Sequence, residues 1–162
     1  MGERRLMIKI NLYCVGSLKE DYLKAAVNEY KKRLSRYAQV EIIEIKEGKI
    51  DEANLEKSLL IEDEPLIKRL KDQDYLITMD LHGDMVNSED FSEMLSKLFD
   101  KGISPINFAI GGTYGLSENL RNRSNKRICL SKLTFTHQMT RIILLEQIYR
   151  AFKIIKGESY HH

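Results

Sequence analysis

A short apolar run leads directly into a glycine-rich loop at residues 106–116, INFAIGGTYGL. The run over residues 106–110 predicts a strand buried on both faces, as in a parallel sheet covered by helices. The loop that follows contains Gly111, Gly112 and Gly115. Glycine permits positive φ angles and lets a ligand approach the backbone closely. The loop is therefore either a tight strand–helix turn or one wall of a ligand site.

The glycine spacing excludes two nucleotide-binding motifs. A dinucleotide site requires Gly-x-Gly-x-x-Gly after the first strand, whereas this loop reads Gly-Gly-x-x-Gly. A P-loop requires Gly-Lys-Ser or Gly-Lys-Thr at its end, and neither follows Gly115.

Strands and helices alternate on both sides of this stretch. Apolar runs predict strands over residues 6–15, 40–45, 75–81 and 127–130. Helical spacing and capping signals predict helices over residues 19–37, 53–70, 88–101, 117–125 and from 136 or 137 to 157. This alternation predicts an α/β fold, a largely parallel sheet with helices on both faces, as a single domain over residues 1–162.

Three helices carry more specific expectations. The first has apolar side chains at helical spacing, namely Tyr22, Ala25, Ala26, Tyr30 and Leu34. Pro65 should kink the second helix or start a new segment within it. Ser88 is expected to cap the third helix, with Gly102 after its end.

The charge balance is weakly basic. The chain has 26 Lys and Arg against 24 Asp and Glu, a formal net charge of +2, which permits nucleic-acid binding without indicating it. Basic clusters at residues 31–36 and 121–127 are either phosphate-facing patches or solvated helix faces.

Other composition features suggest a protein of the cytoplasm. No apolar run is long enough to span a membrane, and the N-terminus does not look like a signal peptide. Cys14 and Cys129 fall in predicted strands and are interpreted as buried thiols. The four histidines lack metal-ligand spacing, so we expect no metal site.

Three strand ends are candidates for binding a ligand, because parallel sheets bind ligands beyond the carboxyl ends of their strands. They are residues 79–81 with Gly83, the loop at Gly111, and residues 131–135. The third segment could offer backbone groups to an adenine edge while Leu133 and Phe135 cover its face. It could also be only the approach to a helix capped by Thr136.

The last helix is apolar on more than one side. From residue 139 to 155, eleven of seventeen residues are apolar, whereas a surface helix needs only one apolar stripe. One side can face the chain's own sheet and the other a second copy, so we expect a homodimer through this helix. The alternative, a central helix in a larger core, has little room in one domain of this length.

Arg141 interrupts the apolar pattern of this helix. It lies on one line with Leu145, Ile148 and Phe152, and arginine is almost never buried without a partner. It therefore either pairs structurally, for example with Glu146 of the other subunit, or points into a site that binds an anionic or carbonyl-rich group.

Four stretches in this order resemble one known family. They are IGGTYGL at 110–116, LSKLTFTHQM at 130–139, LEQIYRAFKI at 145–154 and GESYH at 157–161. The chain resembles the RlmH family, the ribosomal RNA large-subunit pseudouridine N3-methyltransferases of the SPOUT superfamily. The likeness runs from the first strand to the last residues.

The resemblance implies a trefoil knot in the C-terminal half, with S-adenosylmethionine bound in the loops of the knot. By position, the donor would contact Met79, Gly111, Gly112, Gly115, Leu130, Ser131, Lys132, Leu133, Thr134 and Phe135. It also implies a homodimer in which the tail of one subunit completes the other's site, so that Tyr160 and His161 are functional. The substrate would be 23S ribosomal RNA on the ribosome.

Catalysis would require loss of the N3 proton of the acceptor base. Arg141 is the candidate for stabilising the resulting anion, and His137 or His161 for accepting the proton. Two alternatives are a SPOUT enzyme acting on another RNA, such as transfer RNA, and a non-catalytic ribosome-associated RNA-binding protein.

Overall fold

The structure, a computed structural model, describes residues 7–160. Its strands are β1 (Ile8–Val15), β2 (Ala38–Ile45), β3 (Tyr75–Met85), β4 (Ile106–Ile110) and β5 (Lys126–Cys129). Its helices are α1 (Asp21–Leu34), α2 (Leu55–Arg69), α3 (Ser88–Asp100), α4 (Glu118–Arg123) and α5 (His137–Ile155). The predicted alternation of strands and helices is confirmed.

The five strands form one sheet in the order β2-β1-β4-β3-β5. Every pairing between these strands is parallel. β4 lies at the centre, and all five of its residues are buried. Four of them are apolar, as expected for a strand covered on both faces, and Asn107 donates to Tyr75 O at 3.0 Å. All the carboxyl ends of the strands therefore meet at one edge of the sheet.

Helices cover both faces of the sheet, as predicted. Alternate strand residues point to opposite faces, so Leu12 and Phe108 belong to one core cluster, while Tyr13 and Ala109 belong to another. The first cluster is covered by α1, α3 and α5, and the second by α2 and α4.

β3 is longer than predicted and irregular. The prediction ended it at Leu81, before a turn at Gly83, but the strand continues to Met85. Met79 and Asp84 both pair with Ile128 of β5, so the residues between them bulge out of the sheet. A Cβ on Gly83 would lie 2.6 Å from the Arg127 carbonyl carbon, so only glycine fits where the bulge meets β5.

The buried face of α1 matches the predicted one in part, since Leu34 is buried and Ala26 and Tyr30 are half-buried, whereas Ala25 is exposed. Leu23, Val27 and Leu34 are buried, whereas the Tyr22 ring is 69% exposed. Two neighbouring stripes satisfied the helical spacing, and the sheet buries the one that contains Leu23.

Pro65 does not start a new helical segment, and the predicted cap of α3 is wrong by one residue. α2 runs through Pro65 as one helix. Pro65 and Ile61 are both exposed, so water can reach the side of the helix where proline removes a backbone hydrogen bond. α3 is capped by Asn87, whose side chain accepts from Asp90 N at 2.7 Å, one residue before the expected Ser88.

The remaining structural expectations concern thiols, membranes and the knot. Both cysteines are buried free thiols, as predicted. Within residues 7–160, no helix is long and apolar enough to cross a membrane. The trefoil knot stays a prediction from the resemblance.

Candidate active site

A cavity of about 1130 Å³ opens at the carboxyl ends of β3, β4 and β5. The three predicted strand ends all contribute to its wall. The predicted donor contacts that line it are Met79, Gly111, Gly112, Gly115, Leu130, Ser131, Leu133, Thr134 and Phe135. Lys132 is exposed and is not part of the wall. The structure thus brings these segments together, while their role as donor contacts stays a prediction.

The loop after β4 folds back tightly on itself. Gly115 N donates to Gly112 O at 3.0 Å, and Gly115 has a φ of +82°. A Cβ on Gly111 would collide with the backbone of Gly115. The loop is therefore both the tight turn and a cavity wall, and these two interpretations of its glycines are compatible.

Short local hydrogen bonds shape the loop between β5 and α5. Ser131 Oγ accepts from Leu133 N at 3.0 Å, and Thr136 Oγ1 caps α5 by accepting from Met139 N at 3.2 Å. Leu133 is 72% exposed, although its side chain is apolar. An apolar side chain held out at the cavity wall is well placed to cover a flat aromatic ligand.

Asp80 stabilises the part of the cavity wall that β3 and β5 form, and it lies at the start of the bulge in β3. It accepts from Arg127 Nε at 2.8 Å and from His82 N at 3.0 Å. Burial raises the pKa of the Asp80 carboxyl, but these hydrogen bonds and the charges of Arg127 and Arg121 more than offset it and lower the pKa overall. Asp80 is therefore ionised at neutral pH and fixes the edge strand.

The basic cluster at residues 121–127 is largely engaged within the chain. Besides the Arg127–Asp80 pair, Lys126 lies 3.2 Å from Asp84, and Arg123 Nη2 donates to two backbone carbonyls. These contacts favour a structural role for the cluster over a phosphate-binding patch.

Arg141 is buried beside the cavity and does not line it. Its side chain is 2% exposed, Nη1 donates to Glu44 Oε2 at 3.0 Å, and Nη2 donates to Gly16 O at 3.4 Å. The expectation that it points into the site therefore does not match its placement. Its partner within the chain is Glu44, and Glu146 of the same chain pairs with Arg150 at 3.2 Å.

The other predicted catalytic residues lie in different places. His137 lines the cavity, with Nε2 at 3.8 Å from Glu47 Oε1. Tyr160 packs on α5 of its own chain, where its hydroxyl donates to Glu146 Oε1 at 2.9 Å and its ring lies 5.0 Å from that of Tyr149. His161 lies outside the described residues.

Comparison with known proteins identifies the family. A family model described as "Predicted SPOUT methyltransferase" matches residues 8–161. The chain belongs to the SPOUT methyltransferase family. It is 48% identical to the Ribosomal RNA large subunit methyltransferase H of Clostridium acetobutylicum and 46% identical to that of Clostridium novyi. Each match covers 95% of this chain and 99% of the relative.

A solved structure that is less similar to this chain than these relatives aligns with it at a TM-score of 0.46 and 12% sequence identity. It is the SpoU methyltransferase AviRb from Streptomyces viridochromogenes in complex with the cofactor AdoMet, and the match covers 97% of this chain and 61% of that chain.

The cavity of this SPOUT methyltransferase also includes residues that were not among the predicted site residues. The start of α1 contributes Glu20, Tyr22 and Leu23, and α2 contributes Glu56 among others. The residues at the start of α1 could have been predicted, because β1 is parallel to β4. The carboxyl end of β1, just before Gly16, must therefore lie at the same edge of the sheet as the glycine loop. The contribution of α2 had no such signal.

Proposed function

We propose that this SPOUT methyltransferase transfers a methyl group from S-adenosylmethionine to N3 of a pseudouridine in 23S ribosomal RNA, on the assembled ribosome. The observation that carries the proposal is the convergence of three strand-end loops on one cavity. The relatives named Ribosomal RNA large subunit methyltransferase H support the RNA substrate, because they match over almost their whole length.

The residues at the cavity suit the proposed donor. A Cβ position at Gly115 would meet nothing within 4 Å, so backbone is open to a ligand there, and the backbone of residues 130–135 can pair with an adenine edge while Leu133 covers its face. The bound donor supplies an electrophilic methyl group. The protein has to align the acceptor nitrogen with that group and exclude water, a task of positioning rather than of metal chemistry.

The acceptor nitrogen must lose its proton to become nucleophilic. His137 is our candidate to accept it, since it lines the cavity at the first residue of α5. Arg141 lies one turn beyond His137 in α5, and we propose that it assists by anchoring this helix to Glu44. Stabilisation of the base anion by Arg141 itself would require the guanidinium to leave this pair.

We further propose a cytoplasmic homodimer of single-domain subunits. Ile143 and Ile154 of α5 are only partly buried and lie on one line of the helix, eleven residues apart. A second copy would cover them. Tyr160 and His161 would then complete the partner's site, as the resemblance implies.

Calorimetric titration with S-adenosylmethionine and methyl transfer from radiolabelled donor test the proposal. We expect saturable donor binding and label in 23S RNA when ribosomes are the substrate. Label in transfer RNA and none in ribosomes would show that the enzyme methylates transfer RNA instead. Absence of donor binding would indicate a non-catalytic RNA-binding protein. His137→Ala should retain donor binding and lose most turnover.

A further inference from the structure

Helix α2 presents carboxylates to the backbone that follows the glycine loop. Asp63 Oδ2 accepts from Ser117 N at 2.7 Å. Glu56 Oε1 accepts from Glu118 N at 2.7 Å and from Asn119 N at 3.4 Å. Two side chains of α2 thus engage three of the first amides of α4, which helical hydrogen bonding leaves without partners.

Ser117 links Asp63 to the start of α4. Its side-chain hydroxyl bonds to Asp63 and accepts from Leu120 N at 3.1 Å, and the residue is completely buried. Ser117 comes directly after Leu116, which is also buried and lines the cavity. Asp63 therefore fixes the point at which the glycine loop enters α4.

The loop has a second attachment to the same region of the chain. The Tyr114 hydroxyl donates to Glu52, which lies in the 3₁₀ turn just before α2. The glycine loop is thus fixed on the α2 side at Tyr114 and at Ser117. A loop so rich in glycine has large conformational freedom to lose on ordering, and these bonds restrict it.

Asp63 lies in an environment that disfavours a charged side chain and lowers the stability of the fold. It is completely buried, and Oδ1 has no hydrogen-bond partner among the described residues. Burial raises the pKa of its carboxyl, although the two bonds from Ser117 counteract this. A buried charge with an unpaired oxygen lowers stability, and residues retained at such a cost are concentrated at functional sites.

We propose that Asp63 is a positioning residue for methyl-donor binding. It acts through Ser117 by holding residues 111–117 in the conformation that forms the cavity wall. Asp63 does not line the cavity, so its effect on the donor is indirect. This inference rests on the proposed donor site.

The test compares S-adenosylmethionine binding by calorimetry in the full-length wild type, Asp63→Ala, Asp63→Asn and Glu64→Gln. Asp63→Ala leaves the Ser117 amide without an acceptor, and we expect the donor Kd to rise about tenfold or more. Asp63→Asn retains a neutral acceptor and should raise Kd by about threefold. Glu64 is the matched control, since it is exposed and pairs with Lys68 on the outer face of α2.

A kinetic measurement separates positioning from general loss of structure. The donor KM of Asp63→Ala should rise with its Kd, while kcat at saturating donor stays within about twofold of wild type. Melting temperatures identify a temperature at which each variant is folded.

Two results are decisive against the inference. Donor Kd values within about twofold of wild type in both folded Asp63 variants would overturn it. If Asp63→Ala does not fold, a donor Kd within about twofold of wild type in Asp63→Asn alone would overturn the inference. Failure of the wild type to bind the donor would instead overturn the proposed function.

Discussion

Arg141 is the largest of the fully buried side chains in the described part of the chain. Arg141→Ala should lower the free energy of unfolding by about 2–4 kcal/mol, mainly through lost packing. Glu44 is 45% exposed, so water can solvate it once its partner is gone. Urea unfolding at constant pH measures the loss.

Met in place of Arg141 is the informative control, because it restores apolar volume without charge. Arg141→Met should therefore regain part of the stability lost in Arg141→Ala. A stable Arg141→Ala protein that binds donor but has no turnover would contradict this interpretation and favour direct catalysis by the guanidinium.

Asp63 predicts an unusual pH dependence of stability. Its pKa is raised in the folded protein, so between the unfolded and folded values the native state keeps a proton that the unfolded chain has lost. The contribution of Asp63 is thus most favourable in acid and falls as pH rises through this window. Asp63→Asn should gain stability relative to wild type from acid to neutral pH in urea titrations. A constant difference would show that the Asp63 pKa is not raised.

Tyr22 is an exposed aromatic ring on the wall of the cavity. RNA-binding proteins commonly stack unpaired bases on such rings. We expect Tyr22→Ala to raise the KM for ribosomes about 5- to 100-fold with donor Kd unchanged, and Tyr22→Phe to behave as wild type. Weaker self-association of Tyr22→Ala in sedimentation, with normal ribosome KM, would assign the ring to a contact between subunits instead.

Among the elements, the loop after β4 tolerates little change at Gly111. Gly111→Ala forces the new methyl group against the Gly115 backbone and should weaken donor binding while lowering the free energy of unfolding by about 1–3 kcal/mol. Gly48→Ala is the control, since its Cβ would make only an ordinary 3.5 Å contact with Glu62. Equal donor affinity in the two variants would show that this turn is not part of the site.

The elements themselves were largely predictable, because burial imposes clear patterns. Every residue of β4 is buried, and its four apolar residues indicated a buried strand. β3 was predicted too short because glycine and aspartate normally favour turns, whereas Gly83 is selected here by the close approach of Arg127. The partner of Arg141 could not be predicted, since Glu44 lies 97 residues away in the chain.

At the scale of the whole molecule, the proposed dimer is the main expectation. Ile143→Asp combined with Ile154→Asp should convert the protein to a monomer, because two carboxylates would have to be buried at the interface. Sedimentation equilibrium measures the mass, and Ile61→Asp, at a 61% exposed position of α2, should leave it unchanged. A wild-type monomer at micromolar concentration would contradict the dimer and the shared site.

The layered α/β architecture was predictable from the alternation of elements, and the three strand ends of the site followed from the rule for parallel sheets. The support given to the glycine loop by α2 was not predictable. It depends on hydrogen bonds that Asp63 and Glu56 accept from backbone amides that lie 54 and 62 residues further along the chain. An acidic residue on a helix gives no indication in the sequence that it will accept such a distant hydrogen bond.

The cavity draws its walls from segments between residue 20 and residue 140. During synthesis these segments leave the ribosome in order, and residues 128–140, which complete the enclosure, emerge after the other wall segments. A prematurely terminated product that ends before residue 128 lacks one whole wall. With the donor site proposed above, a truncated product of this kind would lack part of the binding wall and would not compete with the enzyme for the donor.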